Sequence, residues 1–352
     1  MRKIVLTGGG TAGHIYPALA VAERLDGFEK FFIGSSGMEK EIVSKEKDIK
    51  FYEIDAVKLE RKFTLRNLFI PFKLFSSIRQ AKKILKEIKP DCVFSKGGFV
   101  ALPVVIGAKK LGIKVISHES DLSMGLANKI ILHYCDKMCV AFEKTAEASK
   151  KCVFTGQPIR ESILKGNKNN IGNSGFDKNK TNLLVVGGSL GAKFINQLVW
   201  NNLDKLCEKF NIIHIAGKKA EKNVSHKFYR QMDFSENMGD ILAWSDLVIS
   251  RAGAGAINEL LALKKPMLLI PLSKDCSRGD QIENAHLFES KGYALVIEQE
   301  ECTNQKFIEN IEKLKQNDKI LIKNMQKNSN FNANDKIIEV IEECLKTSLA
   351  NN

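Results

Sequence analysis

The residue best placed to do chemistry is a histidine behind a run of glycines. Gly8 to Gly13 reads GGGTAG, and His14 follows where an apolar strand, RKIVLT, gives way to a helical pattern. Imidazole has an ordinary pKa near about 6.5, so it accepts a proton at neutral pH, as general-base catalysis requires. The plain alternative is a capping or packing histidine. A second glycine loop, Gly187 to Gly191 (GGSLG), offers backbone N–H groups and the Ser189 hydroxyl at a helix start, where the dipole favours a phosphate. There the alternative is a tight turn that needs glycine for φ > 0. In a third place, Arg251 to Glu259 (RAGAGAINE), small residues permit close approach of backbone to a ligand, with Glu259 in the following helix. Glu259 suits ribose hydroxyls; a solvated helix glutamate is the alternative.

The first loop also satisfies G-x-G-x-x-G between a strand and a helix, the context of a dinucleotide site. That site needs an acid about 20 residues on, at the end of the second strand, to hold the ribose. Here the second strand runs out through Ile33, Gly34, Ser35 and Ser36. The missing carboxylate disfavours a nicotinamide cofactor.

Strand-like runs at residues 2–7, Lys30 to Ile33, Cys92 to Ser95 and Val115 to Ser117 alternate with helical stretches, the first of them Pro17 to Leu25. Such alternation predicts a parallel sheet with helices on both faces. The stretch 166–182 is rich in Asn, Gly and Lys and predicts a flexible connection. After it, LLVVGGSLGA repeats the opening plan, with further strands at Ile212 to Ile215, Leu247 to Ser250, Met267 to Ile270 and Ala294 to Ile297. The expectation is an α/β protein of two Rossmann-like domains with parallel sheets facing a central cleft. The boundaries are 1–161 and 183–330 for the domains, 162–182 for the linker, and a terminal helix, about 331–352, packing back on the first domain.

At 352 residues the chain is long enough for two cores. Its longest apolar run, Phe99 to Ala108, contains Pro103 and is about half of what a membrane-spanning helix needs. No signal-peptide core follows the start. Eight scattered cysteines lack zinc-site spacing and are expected to be reduced packing residues. The net charge of +13 calls for an anionic partner. Ten of the Lys and Arg residues fall in 58–89, interleaved with Phe63, Leu65, Leu68, Phe69, Ile70, Phe72, Leu74 and Phe75 and opposed only by Glu60 and Glu87. That mixture suits an anionic bilayer surface, with Phe63, Leu68, Phe69, Phe72 and Phe75 entering the interface. An ordinary core face backed by solvated lysines is the alternative. No RNA-binding motif accompanies the charge, so nucleic acid is not expected as a partner.

Seven segments in fixed order, GGGTAGHIYPALAVA, KGGFVALP, HESDLSMGLANK, GQPIR, GGSLGAKFIN, SRAGAGAINEL and PLSKDCSRGDQIENA, resemble the MurG family over nearly the whole chain. The resemblance implies a GT-B fold and an inverting, metal-independent transfer in peptidoglycan synthesis, with the cell-shape and cell-division roles that accompany it. N-acetylglucosamine would pass from UDP-N-acetylglucosamine to undecaprenyl-pyrophosphoryl-MurNAc-pentapeptide at the cytoplasmic face of the cell membrane, with no cofactor. It further implies Thr11, Ala12, Gly13 and Gln281 for the donor sugar, Arg160 and Ser189 for the phosphate or nucleotide side, and the Ser235 backbone for uracil. Ala254, Gly255, Ala256 and Glu259 are implied for the rest of the nucleotide, and Gly9, Gly10, Gly97 and Gly98 for the acceptor diphosphate. At Asp121 some members carry an asparagine that touches the donor sugar; the acid here can only accept hydrogen bonds. No D-x-D cluster demands a metal. A UDP-sugar 2-epimerase or a diacylglycerol glycosyltransferase would share the donor loops and is the rival reading.

Overall fold

The computed structural model describes residues 1–56, 70–172, 175–188, 191–218, 220–275, 277–328 and 332–349. The chain forms two compact units, Met1–Arg160 with Asn332–Asn352, and Glu161–Phe331. In the first unit β1 (Arg2–Thr7), β2 (Phe28–Gly34), β3 (Ile49–Glu53), β4 (Cys92–Ser95), β5 (Lys114–Glu119), β6 (Lys137–Val140) and β7 (Cys152–Phe154) form one sheet ordered β3-β2-β1-β4-β5-β6-β7. In the second unit β8 (Thr181–Val186), β9 (Phe210–Ile215), β10 (Tyr229–Met232), β11 (Leu247–Ser250), β12 (Met267–Leu269) and β13 (Ala294–Val296) follow the order β10-β9-β8-β11-β12-β13. All pairings within both sheets are parallel.

Each sheet reverses its order beside its first strand, so the loop after β1 and the loop after β8 lie at switch points, where strand ends open to ligands. The apolar runs explain the burial. Successive residues of β1 face opposite sides, Ile4 and Leu6 into one core and Val5 into the other. Strands β3, β6, β7 and β10 were not legible as apolar runs, because IKFYE, KMCV and YRQM are short and carry polar residues, and CVF is only three residues long. Pro103 sits in the first turn of the helix Ala101–Lys110, where a missing N–H costs nothing.

The C-terminal helix, Ala333–Leu349, packs in the first unit: Ile337, Ile341 and Cys344 join the core of β1, and Arg2 forks onto Glu342 at 2.6 and 2.7 Å. The stretch 162–182, expected as a flexible connection, carries a helix at Glu161–Leu164 and a 3-10 turn at Lys168–Ile171. It belongs to the second unit and is held there by Asp240, which accepts from Asn167 N at 2.7 Å and Asn170 Nδ2 at 3.0 Å. Cys92, Cys135, Cys139, Cys207, Cys302 and Cys344 are free and buried, and burial pushes the Cys135 and Cys139 thiols up to about 12. Among the described residues no helix is long and apolar enough to cross a membrane.

Candidate active site

The first glycine loop ends in the helix Ala12–Ala22, whose first turn carries Ala12, Gly13 and His14. Thr11, in extended conformation, precedes it and accepts the His14 N–H at 3.1 Å. The other two N–H groups of this first turn, those of Ala12 and Gly13, have no intrahelical acceptor, which leaves them for a ligand. Pro17 adds a second effect: lacking an N–H, it cannot bond the Gly13 carbonyl four residues back. Thr11, Gly10 and Gly13 are exposed, while Ala12 and His14 are half-buried.

His14 is held in one tautomer. Its Nδ1 lies 2.9 Å from the Gly9 carbonyl, which can only accept, so Nδ1 carries the proton. The neutral ring then presents Nε2 as a bare acceptor. Burial, and next the Lys96 ammonium, lower the proton affinity of His14 below the ordinary value, against the opposing pull of the Gly9 carbonyl, Glu119 and Glu39. A neutral, oriented imidazole at neutral pH is what a general base requires.

Gly97 and Gly98, after β4, have φ of +84° and +85°. A Cβ on Gly98 would stand 2.6 Å from Gly9 O and 3.1 Å from His14 Nδ1, so this loop lies directly against the histidine loop. Gly9, Gly10, Gly97 and Gly98 are therefore together. Two features that sequence reasoning missed hold them. Glu39, only 1% exposed, accepts from Gly10 N at 2.5 Å through one oxygen and from Ser35 Oγ at 3.0 Å through the other. Lys96, also 1% exposed, donates to Ser120 Oγ, which donates to Gln157 Oε1 at 2.8 Å. The motif KGGF contained Lys96, but nothing about its spacing predicted a buried ammonium; Glu39 carried no signal at all.

Glu119 organises the next loop: its carboxylate accepts from Asp121 N at 3.0 Å, Gly125 N at 3.1 Å and Asn128 Nδ2 at 2.9 Å. Asp121 is half-buried there. Arg160 stacks its guanidinium 3.9 Å from the centre of the Tyr16 ring, on the helix that carries His14. Stacking fixes the plane of the fork before any anion binds.

Removing Glu39 tests this framework. Glu39→Ala leaves the Gly10 N–H and Ser35 without their carboxylate and is expected to cost about 1–3 kcal/mol in urea unfolding. A drop of roughly tenfold in kcat/KM, largely recovered by Glu39→Gln, is expected because Gln keeps an acceptor for Gly10.

In the second unit Gly188 and Gly191 have positive φ, 94° and 78°, and a Cβ on Gly191 would stand 2.2 Å from Ala216 O. Glycine is thus structurally required where the loop after β8 turns. Ser189 lies outside the described residues, as do Phe63, Leu68 and Phe69. After β11, Arg251 is buried and donates to the carbonyls of Ile270 (2.9 Å) and Pro271 (3.0 Å), while Asn284 Nδ2 reaches Ala252 O at 3.3 Å. These bonds fix the start of the helix Ala254–Ala262, where Ala254, Gly255 and Ala256 leave the backbone uncrowded and Glu259 is half-buried one turn further on. Gln281 accepts from Leu272 N at 3.0 Å, which orients its amide at the strand-end loop after β12. Ser235 is half-buried beside Phe234, which is 40% exposed, and accepts from Asn237 N at 3.2 Å. Among the described residues no group of three or more His, Cys, Asp or Glu side chains could hold a metal ion.

Residues 4–140 match the glycosyltransferase family 28 N-terminal domain, and residues 182–341 match its C-terminal domain. The chain belongs to glycosyltransferase family 28, within the MurG family. Among its family relatives, a Clostridium botulinum (strain Hall) protein is 49% identical over 98% of this chain and 100% of its own length. A Clostridium tetani relative is 49% identical over 97% and 98%. Both are named UDP-N-acetylglucosamine--N-acetylmuramyl-(pentapeptide) pyrophosphoryl-undecaprenol N-acetylglucosamine transferase. The MurG crystal structure from Acinetobacter baumannii is similar with a TM-score of 0.75 and 28% identity, covering 97% of this chain and 100% of that one. The calicheamicin glycosyltransferase CalG4 (TM-score 0.68, 14% identity, 98% of each chain) shares the fold alone. This chain is thus an α/β glycosyltransferase of the GT-B class.

Proposed function

We propose that this glycosyltransferase moves N-acetylglucosamine from UDP-N-acetylglucosamine to the C4 hydroxyl of the MurNAc unit of undecaprenyl-pyrophosphoryl-MurNAc-pentapeptide. The names of relatives 49% identical over nearly the full chain support the substrates. The observation that carries the chemistry is the His14 tautomer: Nδ1–H is spent on Gly9 O, and Nε2 is left to take a proton. The acceptor oxygen attacks the anomeric carbon from the face opposite UDP. Its proton passes to His14 Nε2, the C–O bond to the β-phosphate breaks, and its electron pair leaves with UDP. The configuration inverts.

The other residues serve charge and placement. The loops at Gly9, Gly10, Gly97 and Gly98 suit the acceptor diphosphate by close approach, although the Gly10 N–H is spent on Glu39 and the Gly97 N–H on Ser95 Oγ, and Thr11, Ala12, Gly13 and Asp121 meet the transferred sugar. Arg160 and the Ser189 loop stabilise the negative charge that grows on the leaving diphosphate. Ala254, Gly255 and Ala256 admit the nucleotide closely, Glu259 takes the ribose hydroxyls, the Ser235 backbone takes uracil, and Gln281 takes sugar hydroxyls. Release of UDP that requires the lipid-linked acceptor supports this reading; turnover of the donor alone would favour an epimerase.

An acceptor with an undecaprenyl tail requires the enzyme at a membrane surface. The helix Ile70–Ile88 exposes Phe72 (76%) and Phe75 (59%) beside Ser76, Arg79, Gln80 and Lys83, around a shallow groove of about 470 Å³. Apolar rings flanked by cations suit peripheral binding to the anionic inner leaflet. Burying each ring is worth about 1.5 kcal/mol, so Phe72→Ser with Phe75→Ser is expected to weaken sedimentation with anionic vesicles roughly 100-fold. Turnover of a short-chain acceptor should persist; unchanged sedimentation would refute the surface.

A further inference from the structure

We propose that Lys96 is a positioning residue of the transfer: its buried side chain braces the His14 loop against the loops after β5 and β7 and holds a positive charge behind that loop. The inference rests on His14 as the base. Lys96 N donates to Thr7 O at 2.7 Å, which pins the end of β4 to the end of β1. A Cβ on Gly8 would stand 2.9 Å from Lys96 Cβ, so the lysine stem lies directly beneath the glycine loop. Its Nζ then reaches Ser120, and Ser120 reaches Gln157, whose Nε2 has no hydrogen-bond partner among the described residues. One side chain thereby joins the segments that follow β1, β4, β5 and β7.

Bracing alone does not need a charge. A methionine of similar length would fill the same space without the cost of taking an ammonium out of water, a cost that leaves buried lysines rare. Burial pulls the Lys96 ammonium down to about 8, although Glu119, Asp121 and the Cys139 thiol favour the charged form. The groups that act on His14 in turn are Lys96 from the loop after β4, Glu119 from the end of β5 and Glu39 from the helix Met38–Val43. His118, also buried, is held well below its ordinary value by burial and Lys96 and stays neutral. Lys96 is therefore the cation that opposes protonation of His14, and its charge acts through that imidazole.

The test follows the His14 ring by NMR, assigned with His14→Gln, together with the acid limb of kcat/KM against pH. In Lys96→Met and Lys96→Gln the opposing cation is gone, so His14 should gain a proton at higher pH. Both the titration and the acid limb are expected to move up by about one pH unit. Lys96→Arg, which keeps the charge, should return them towards wild type. A folded neutral variant in which His14 titrates at the wild-type pH would overturn the proposal. So would loss of folding in both neutral variants, because the charge would then serve stability alone. If in the wild type the acid limb does not follow the His14 titration, the base assignment fails instead, and the Lys96 result on the ring still stands by itself.

Discussion

Replacing His14 with Gln is expected to lower kcat by roughly 10²–10⁴-fold, the usual contribution of a positioned general base. The substitution is chosen for what it keeps. Glutamine can donate to Gly9 O in place of Nδ1–H, so the loop and the unfolding midpoint should stay near wild type. What disappears is the acceptor at Nε2. Because burial and Lys96 lower the proton affinity of His14, the wild-type rate should hold down to a pH below the ordinary imidazole value and fall beneath it. The acid limb should vanish in His14→Gln. Steady-state kinetics against pH, with circular dichroism on both proteins, checks each part; near-full turnover in a folded variant would end the assignment.

The second large effect is expected at Gly98. Alanine there must adopt φ of +85°, which costs about 1–2 kcal/mol, and its Cβ would stand 2.6 Å from Gly9 O. Overpacking against backbone adds about 1–3 kcal/mol. The contact lies on the carbonyl that orients His14, so relief must displace the base. A shift near 1 Å can cost about 100-fold in rate. Gly112→Ala is the control: φ is +74°, but none of the described residues beyond its chain neighbours stands within 4 Å of the new Cβ. It should lose stability from strain alone and keep its activity, as calorimetry and initial rates can check.

Much of the scaffold was legible in the sequence because buried parallel strands are continuous apolar runs. Cys92 to Ser95 and Leu247 to Ser250 lie where the pattern put them. The first helix begins at Ala12 and not at Pro17, since Pro17 falls inside it and the glycine loop itself supplies its first turn. Strand β10 was missed because Tyr229 and Gln231 are spent on a polar network. There His214 bonds Tyr229 OH and Asn196, and burial drives the imidazole down to about 3.

In the site, glycines and His14 were visible because a turn with φ > 0 and a reactive side chain leave marks in sequence. Their supports were not. Glu39 lies 29 residues from Gly10 and looks like any helix glutamate until the fold buries it. Lys96 looks like a solvated lysine until the fold brings Ser120 to it, 24 residues away. Such pairings depend on which strands become neighbours, which no local pattern encodes.

The linkage formed from UDP-N-acetylglucosamine and a lipid-linked MurNAc-pentapeptide tests the central claim most directly. The account predicts a disaccharide joined β-1,4, with the anomeric configuration of the donor inverted, formed only when acceptor is present and lost in His14→Gln. An α-linked product, or a donor epimerised without acceptor, would contradict it.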